Sequence, residues 1–172
     1  MMNDYYQQGN RKPKFNNNQR GWDNRQGGSG RPGQNKPQPP QEIIAEPIPE
    51  EYVDAAEQVM KSYRENSTKK DQITTSKIRS LLSLISEIYD VERLRKEESL
   101  LPESVTKLRM MRVRILYDSG RDSVKVGEFV KKAKLLEYLK GIGSDRKACI
   151  QFAHYMEALV AYHRYYDIGI KE

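Results

Sequence analysis

The sequence predicts an all-α fold, a compact bundle of about five helices preceded by a disordered N-terminal tail. Beyond residue 49, apolar residues recur three and four positions apart, and no run alternates as a half-buried strand would. Residues 1–48 are rich in Asn, Gln, Gly, Pro and Arg and poor in aliphatic side chains, so they cannot bury enough apolar surface to offset chain entropy. We therefore expect a disordered tail over 1–48 and a helical domain over 49–172, which is long enough for one core.

The first two predicted helices each carry an apolar stripe at helical spacing. Helix one is predicted to start at Pro49, whose ring suits a first turn, and its stripe runs from Tyr52 to Tyr63. Helix two starts after Thr74 or Thr75, because either side chain can accept a hydrogen bond from a first-turn amide. Its stripe consists of Ile78, Leu81, Leu82, Ile85, Ile88 and Tyr89. Both helices thus have one face suited to a shared core.

The last three helices are predicted over about 102–119, 122–140 and 144–167. Gly141 and Gly143 can take the left-handed conformation that closes the fourth. The fifth is apolar nearly all round, so we expect it to be the central and most buried element. Short connections favour antiparallel neighbours, which is typical of a compact bundle.

Basic charge is concentrated in one part of the chain. The formal net charge is +6 and the sequence pI is about 9.3. Between Val105 and Lys147, twelve Lys or Arg residues stand against five acidic ones, whereas the flanking helices are net acidic. This asymmetry indicates a surface for an anionic partner, although a solvated helix surface would produce the same pattern.

Cysteine content and hydropathy indicate the cellular compartment in which the protein is expected. Cys149 is the single cysteine, so a disulfide framework is excluded and a reducing compartment is expected. No apolar stretch reaches the length of about 18 residues that spans a bilayer. We therefore expect a cytoplasmic protein without a membrane partner.

Motifs that would indicate catalysis are missing from the sequence. His154 and His163 are not spaced as a helical metal pair, and no glycine-rich phosphate loop precedes a helix. Glu157 lies between the two histidines, so acid–base chemistry is conceivable, but polar residues at the rim of a core helix are the favoured interpretation. Cys149 is interpreted as a packing residue rather than a nucleophile. The sequence thus predicts no enzyme, no metal site and no cofactor.

Helix three places cations where an apolar stripe is expected. Lys107 and Arg114 fall on the outside, whereas Arg109 and Arg112 fall at or within the stripe. Because an unpaired buried guanidinium is unfavourable, Arg112 should either meet a carboxylate or open onto a groove where an anion compensates it. The sequence leaves these two alternatives open.

Two further segments are candidates for anion binding. In helix four, Lys131 and Lys134 share a side with Tyr138, an arrangement that can hold a phosphate backbone and stack a base, although a solvated lysine face is the alternative. The segment from Ile73 to Arg79 combines free first-turn amides, hydroxyl groups and two cations, which resembles an anion site. An ordinary helix N-cap with solvated charges would produce the same sequence pattern.

Five segments, taken in their order along the chain, resemble the small subunit of type III-A CRISPR effector complexes, the small helical protein of the Csm complex. Each segment alone is a loose helical pattern, but their order along residues 52–166 is specific. The segments are ITTSKIR, LLSLISEIY, RMMRVRILYDSGR, FVKKAKLLEYLKGIG and FAHYMEALVAYHRYY. The tail lies outside the resemblance.

The resemblance implies a non-catalytic subunit that stacks along a ribonucleoprotein and lines the path of target RNA paired to guide RNA. Its implied partners are these RNAs, other subunits of the complex and neighbouring copies of itself. Phosphate contacts should predominate, because guide pairing supplies sequence choice. The basic positions within the matching segments are Lys77, Arg79, Arg109, Arg112, Arg114, Arg121, Lys131, Lys132 and Lys134.

Other functions remain open from the residues alone. A helical protein–protein adaptor without nucleic-acid binding would explain the bundle and the mixed charges beyond Asp90. A duplex-DNA-binding protein is less well supported, because no recognition helix follows a short turn. The tail segment QRGWDNRQGGSGRPG mixes Arg, Gly and an aromatic residue, as disordered RNA-binding segments do, but a plain linker fits too.

Overall fold

A computed structural model of the chain describes residues 42–169. The described part holds six α-helices and one π-helical turn, and a single bridge between Ser99 and Asp145 is its only β pairing. The predicted all-α fold is thus confirmed, whereas residues 1–41 of the predicted tail lie outside the described residues. The elements are α1 (Tyr52–Glu65), α2 (Thr75–Glu92), α3 (Pro102–Arg121), the π-helical turn (Ser123–Gly127), α4 (Glu128–Lys132), α5 (Leu135–Ile142) and α6 (Arg146–Tyr165).

Helix α6 is the central element, as its all-round apolar sequence predicts. It begins after Asp145, whose side chain accepts a hydrogen bond of 3.1 Å from the amide of Ala148. It packs against α1, α2 and α5. Its buried residues are Cys149, Phe152, Ala153, Tyr155, Met156, Leu159 and His163. One broad face of α6 thus lies in the core, and its remaining residues are half-buried or exposed.

Helices α1 and α2 follow the predicted stripes, with one shifted boundary. Helix α1 begins at Tyr52 rather than Pro49, because residues 50–51 form a turn before it. Helix α2 has the predicted cap, since the Thr74 hydroxyl accepts a hydrogen bond of 3.3 Å from the Lys77 amide. The faces toward α6 bury Ala56, Met60, Tyr63, Ile78, Leu81, Ile85 and Ile88.

The predicted continuous helix over 122–140 is wrong, because the chain breaks there twice. Asp122 leaves the helical conformation and its side chain caps the amide of Lys125 at 3.1 Å, which starts the π-helical turn. Lys134 has a left-handed backbone with φ of 50° and separates α4 from α5. The carbonyl of Ala133 accepts a hydrogen bond of 3.0 Å from the Tyr155 hydroxyl. A hydrogen bond from α6 thus satisfies a carbonyl that would accept an intrahelical hydrogen bond if the helix continued.

The junction between α2 and α3 is organised by the fully buried carboxylate of Glu92. Its oxygens accept hydrogen bonds from the Leu101 amide at 3.1 Å and from Arg95 at 2.8 Å. Burial opposes ionisation, but the hydrogen bonds from Ser104, Leu101 and Arg95 outweigh it and hold the pKa of Glu92 below its ordinary value. The start of α3, on which the candidate interface depends, is thereby fixed.

Residues 42–48, which the sequence assigns to the tail, lie against α5 and are named here the strap. The Glu46 amide donates a hydrogen bond of 3.1 Å to the carbonyl of Glu137. A Cβ atom at Gly141 would overlap the carbonyl of Glu46, so the close approach of the strap requires glycine at that position. Residues 42–48 therefore contact the bundle, although their composition groups them with the tail.

Candidate nucleic-acid interface

Three consecutive residues of α3 have three different surroundings. Met111 is buried in the core with Leu108 and Ile115, whereas Met110 is 61% exposed and Arg112 is half-buried. Successive residues on an α-helix point about 100° apart, so one buried stripe leaves a flank on either side of it. Helix α3 therefore borders two grooves, one beside α5 and one beside α2.

The groove beside α5, named here the basic groove, has a volume of about 320 Å³. Its polar groups are the side chains of Arg109, Arg112, Lys140 and Ser144. Its lining residues include no carboxylate, and its apolar and glycine residues are Val105, Leu108, Leu139 and Gly143. Three cations around one concave surface form a field suited to a phosphate group.

The structure decides between the two sequence alternatives for Arg112. Among residues 42–169, the ion pairs involve neither Arg112 nor Arg109. Arg112 therefore opens onto a groove instead of meeting a carboxylate inside the bundle. Arg109 is more exposed than its position at the stripe suggested. A half-buried guanidinium without a counter-charge favours an anion in this groove.

The groove between α2 and α3, named here the apolar groove, has a different character. Its volume is about 540 Å³, and Met111 lies in its wall. The exposed stripe Met110, Val113 and Tyr117 follows the three-four spacing by which one helix packs on another. Leu84, Glu87, Thr106, Lys107 and Arg114 complete the lining. Arg114, a predicted RNA-binding residue, thus lies apart from Arg109 and Arg112.

Three other predicted RNA-binding residues lie near the end of α3 and on α4. Arg121 pairs with Asp118 at 3.5 Å, and its guanidinium lies 5.8 Å from the centre of the Tyr117 ring. Lys131 is exposed and Lys132 is half-buried. Among the ion pairs of residues 42–169, none involves either lysine. Both are therefore available to an anionic partner.

The pairing of Lys134 with Tyr138 as a base-stacking platform is wrong. Tyr138 is only 8% exposed and packs edge-on against Tyr155, with ring centres 5.5 Å apart. Lys134 is instead paired with the Glu46 carboxylate of the strap at 2.7 Å. Because the helix is interrupted at Lys134, the residues of α5 do not continue the faces of α4. The prediction assumed one continuous helix and therefore placed Tyr138 on the wrong side.

Lys77 and Arg79 lie at the start of α2 and do not line the basic groove. Lys77 is half-buried, Arg79 is exposed, and the Thr74 hydroxyl already accepts a hydrogen bond from the Lys77 amide. The ordinary N-cap interpretation therefore describes this segment. A role in RNA binding stays a prediction for both residues.

Lys140 is the basic residue of the groove that the sequence did not reveal. It lies on α5, and only the packing of α5 beside α3 brings it to Arg109 and Arg112. The sequence signal that could have drawn attention to Lys140 is its position next to Gly141, because that glycine marks a close approach of another chain segment. Proximity between two helices cannot be read from either helix alone.

The residues considered for catalysis have structural contacts. His154 lies between the hydroxyls of Tyr52 and Tyr89, at 3.5 and 3.3 Å, and buried His163 lies 2.9 Å from the Ile73 carbonyl. Burial raises the pKa of the Cys149 thiol to about 12, so it is protonated at neutral pH. Residues 42–169 contain no group of His, Cys, Asp and Glu side chains that could hold a metal ion.

Comparison with known proteins identifies the family. A family model described as Csm2 Type III-A matches residues 49–168, which is more than half of the chain. The chain belongs to the type III-A Csm2 family. The resemblance drawn from the five ordered segments is thereby confirmed, and the strap and the residues before it lie outside the Csm2 match.

Three curated relatives, each named CRISPR system Cms protein Csm2, agree with this family. The Streptococcus thermophilus protein is 39% identical over 117 residues, covering 68% of this chain and 92% of the relative. The Mycobacterium tuberculosis protein (strain CDC 1551 / Oshkosh) is 43% identical over 97 residues, covering 56% and 77%. The Enterococcus italicus protein is 34% identical over 101 residues, covering 56% and 70%. This chain is thus a Csm2-family small subunit of a type III-A CRISPR complex.

Within residues 42–169, no helix combines the length and apolarity needed to cross a bilayer.

Proposed function

We propose that this chain is a non-catalytic subunit that holds the backbone of target RNA, paired to guide RNA, within a cytoplasmic type III-A CRISPR complex during antiviral defence. The basic groove is the centre of the proposed contact surface. Arg121 at the end of α3 and Lys131 and Lys132 on α4 extend this surface, whereas Lys77 and Arg79 are peripheral. Arg114 lies in the apolar groove and is not part of it. No cofactor takes part in the proposed binding.

The observation that carries this proposal is the half-buried Arg112, which has no carboxylate partner among residues 42–169. Desolvating a guanidinium is unfavourable unless an anion compensates it, and Arg109 and Lys140 add like charge at the same groove. Such a site suits phosphate oxygens, which are acceptors for bidentate arginine contacts. Because the groove is lined by side-chain cations rather than a base-sized aromatic pocket, it would hold RNA of any sequence.

We further propose that neighbouring copies of this chain stack on one another, and the apolar groove supports this proposal. Its rim carries both signs of charge, with Glu87 opposite Lys107 and Arg114, so two copies of the same surface can pair opposite charges. The exposed stripe supplies apolar area to cover. We assign this groove to a second copy rather than to RNA.

The proposal is tested by purifying the full chain from cells that express the whole complex. Guide RNA and the other subunits should co-purify with it, and binding of labelled single-stranded RNA to the free chain should weaken as salt rises. Weak binding by the free chain is acceptable only if the assembled complex cross-links target RNA to residues of the basic groove.

A different outcome would favour the adaptor alternative. If the complex assembles but RNA cross-links avoid the chain, and the free chain shows no salt-dependent RNA affinity, the chain acts through protein contacts alone. The mixed-charge apolar groove would then be its functional surface.

A further inference from the structure

The strap holds two lysine ammonium groups beside the candidate interface. The Nζ atom of Lys134 lies 2.7 Å from a carboxylate oxygen of Glu46. The Nζ atom of Lys140 donates a hydrogen bond of 2.7 Å to the carbonyl of Ile43. Lys140 also lines the basic groove with Arg109 and Arg112. The strap thus provides an internal carboxylate and carbonyl to groups that could otherwise bind phosphate.

The strap is anchored to the bundle at several points besides the two lysines. The Glu46 amide donates to the Glu137 carbonyl at 3.1 Å, and the Gln151 side chain donates to the Pro49 carbonyl at 2.9 Å. Ile48 packs against the hydrophobic core. These contacts keep the acceptor groups of the strap beside Lys134 and Lys140 without help from a partner.

Two features of α5 are fitted to the strap. Gly141 leaves room for the Glu46 carbonyl, which a Cβ atom would displace. Lys134, at the break before α5, has a left-handed backbone that non-glycine residues rarely adopt. Its hydrogen bond to Glu46 raises the pKa of Lys134 above its ordinary value, so its ammonium group is charged at neutral pH.

We propose that the strap is an autoinhibitory contact, which competes with RNA phosphates for Lys134 and Lys140 and so limits the affinity of the basic surface. This inference rests on the proposed function and concerns its regulation. A phosphate that takes the N–H donor now used by the strap replaces an existing contact, so it gains only the difference between the two interactions. Release of the strap frees both ammonium groups for phosphate binding and counterion release.

The test uses the full chain, a labelled single-stranded RNA and a series of salt concentrations. Glu46→Gln removes the carboxylate that holds Lys134, and Glu42→Gln is its control, because it makes the same charge change on an exposed strap residue outside the ion pairs of residues 42–169. Gly141→Ala displaces the strap without a charge change. Gly120→Ala is its control, since a Cβ atom there meets open space within α3.

We expect Glu46→Gln to bind RNA about 1.4- to five-fold more tightly than Glu42→Gln, the range that an exposed ion pair of about 0.2–1 kcal/mol allows. Gly141→Ala should exceed Gly120→Ala by a similar factor. The slope of log affinity against log salt should steepen by about 0.7 for each lysine that gains a phosphate. Hydrogen exchange at the Glu46 amide reports release of the strap independently of RNA.

Equal affinities of Glu46→Gln and Glu42→Gln overturn the inference, because Glu46→Gln removes the ion pair with Lys134 whether or not the strap moves. Faster exchange at the Glu46 amide in Gly141→Ala with unchanged or weaker RNA binding also overturns it. Either result leaves the proposed function intact if Arg112→Glu still weakens binding. Failure of the proposed function is a separate outcome, in which neither the wild-type chain nor the assembled complex contacts RNA.

Discussion

The basic groove and the apolar groove lie on opposite flanks of the same helix and have opposite chemistry. Beside α5, Arg109 and Arg112 meet Lys140 without a carboxylate in the lining. Beside α2, the lining is dominated by Met110, Val113 and Tyr117, with charges of both signs at the rim. A single helix thus presents one surface suited to an anion and another suited to a protein.

The difference between the grooves arises from the neighbouring helices as much as from α3. Helix α5 contributes Lys140, and the turn after it contributes the small residues Gly143 and Ser144, so the groove stays open to solvent and polar. Helix α2 contributes Leu84 and Glu87, which gives an apolar wall and an acidic rim. The cations of α3 therefore have two different surroundings, and Arg114 lies in the apolar groove, apart from Arg109 and Arg112.

The first prediction has the largest expected effect and compares the stability of variants in the core of α3 and in the neighbouring apolar groove. Met111 is 3% exposed and Met110 is 61% exposed, although they are adjacent. Met111→Ala should lower the free energy of unfolding by about 2–5 kcal/mol, because it leaves a cavity in the core. Met110→Ala should change it by less than about 0.5 kcal/mol. Urea unfolding of both variants, followed by circular dichroism, measures the contrast, and equal losses would mean that the buried stripe of α3 is misassigned.

The second prediction compares charge reversals on the two flanks. Arg112→Glu should weaken RNA binding by about tenfold or more, since a hydrogen bond to a charged group contributes about 1.5–3 kcal/mol. Arg114→Glu makes the same charge change on the same helix but in the apolar groove, and should weaken binding less than about threefold, through long-range charge alone. Titration of labelled RNA at fixed salt measures both affinities.

Equal losses for the two variants would contradict the separation of the grooves and would return Arg114 to the RNA surface. Arg112→Lys serves as the conservative control. It keeps the charge but not the bidentate geometry, so it should retain most of the affinity if a general positive field is sufficient. Unfolding measurements on all three variants separate a lost contact from a lost fold.

Sequence patterns predicted the core better than the grooves. The periodicity of Ile78 to Ile88 and the cap at Thr74 are local properties, and the structure agrees with both. The conflict at Arg112, a cation beside an apolar stripe, was a sound signal because a half-buried charge has few stable explanations. The choice between the two alternatives for Arg112 still required the position of α5, since no property of α3 indicates which helix packs beside it.

The errors arose where tertiary contacts override local preference. Lys134 in a left-handed conformation depends on α6, through the bond from Tyr155 to Ala133, and on the strap, through Glu46. The strap itself has no periodicity and was grouped with the tail by composition. Its contacts with Lys134, Glu137 and Lys140 and the fit of Glu46 over Gly141 show that it packs on the bundle. Contacts between segments distant in sequence leave no pattern that one sequence can reveal.

The third prediction tests the apolar groove. Met110→Ser with Val113→Ser should weaken self-association, and incorporation into the complex, by about 1 kcal/mol for each side chain, because less apolar surface is buried between copies. RNA affinity of the free chain should stay unchanged, since neither residue lines the basic groove. Sedimentation equilibrium measures the association, and Arg112→Glu is the control that should leave it intact. Loss of RNA binding in the serine variant would show that the two grooves act together.

The smallest effect concerns pH, which should change the stability of the fold without changing the charge of the basic groove. Burial of His163 lowers the pKa of its imidazole below the ordinary value of 6.5, with the Ile73 carbonyl and Asp167 opposing this only in part. The native state therefore favours the neutral ring, and the unfolded state binds more protons below about pH 6.5. The free energy of unfolding should thus fall as pH decreases from 6.5, by at most about 1.4 kcal/mol per pH unit, until the native pKa is reached.

His163→Gln isolates this contribution, because glutamine can still donate a hydrogen bond toward Ile73 but does not titrate. Between pH 5 and 7 the wild-type chain should lose stability more steeply than the variant, and the difference cancels the contributions of His154 and the carboxylates. RNA affinity should differ little between the two chains over this range, since His163 does not line the basic groove. A parallel loss of RNA affinity and stability in the wild type alone would show that the groove depends on the packing around His163. The two flanks of α3 would then not be independent of the core that separates them.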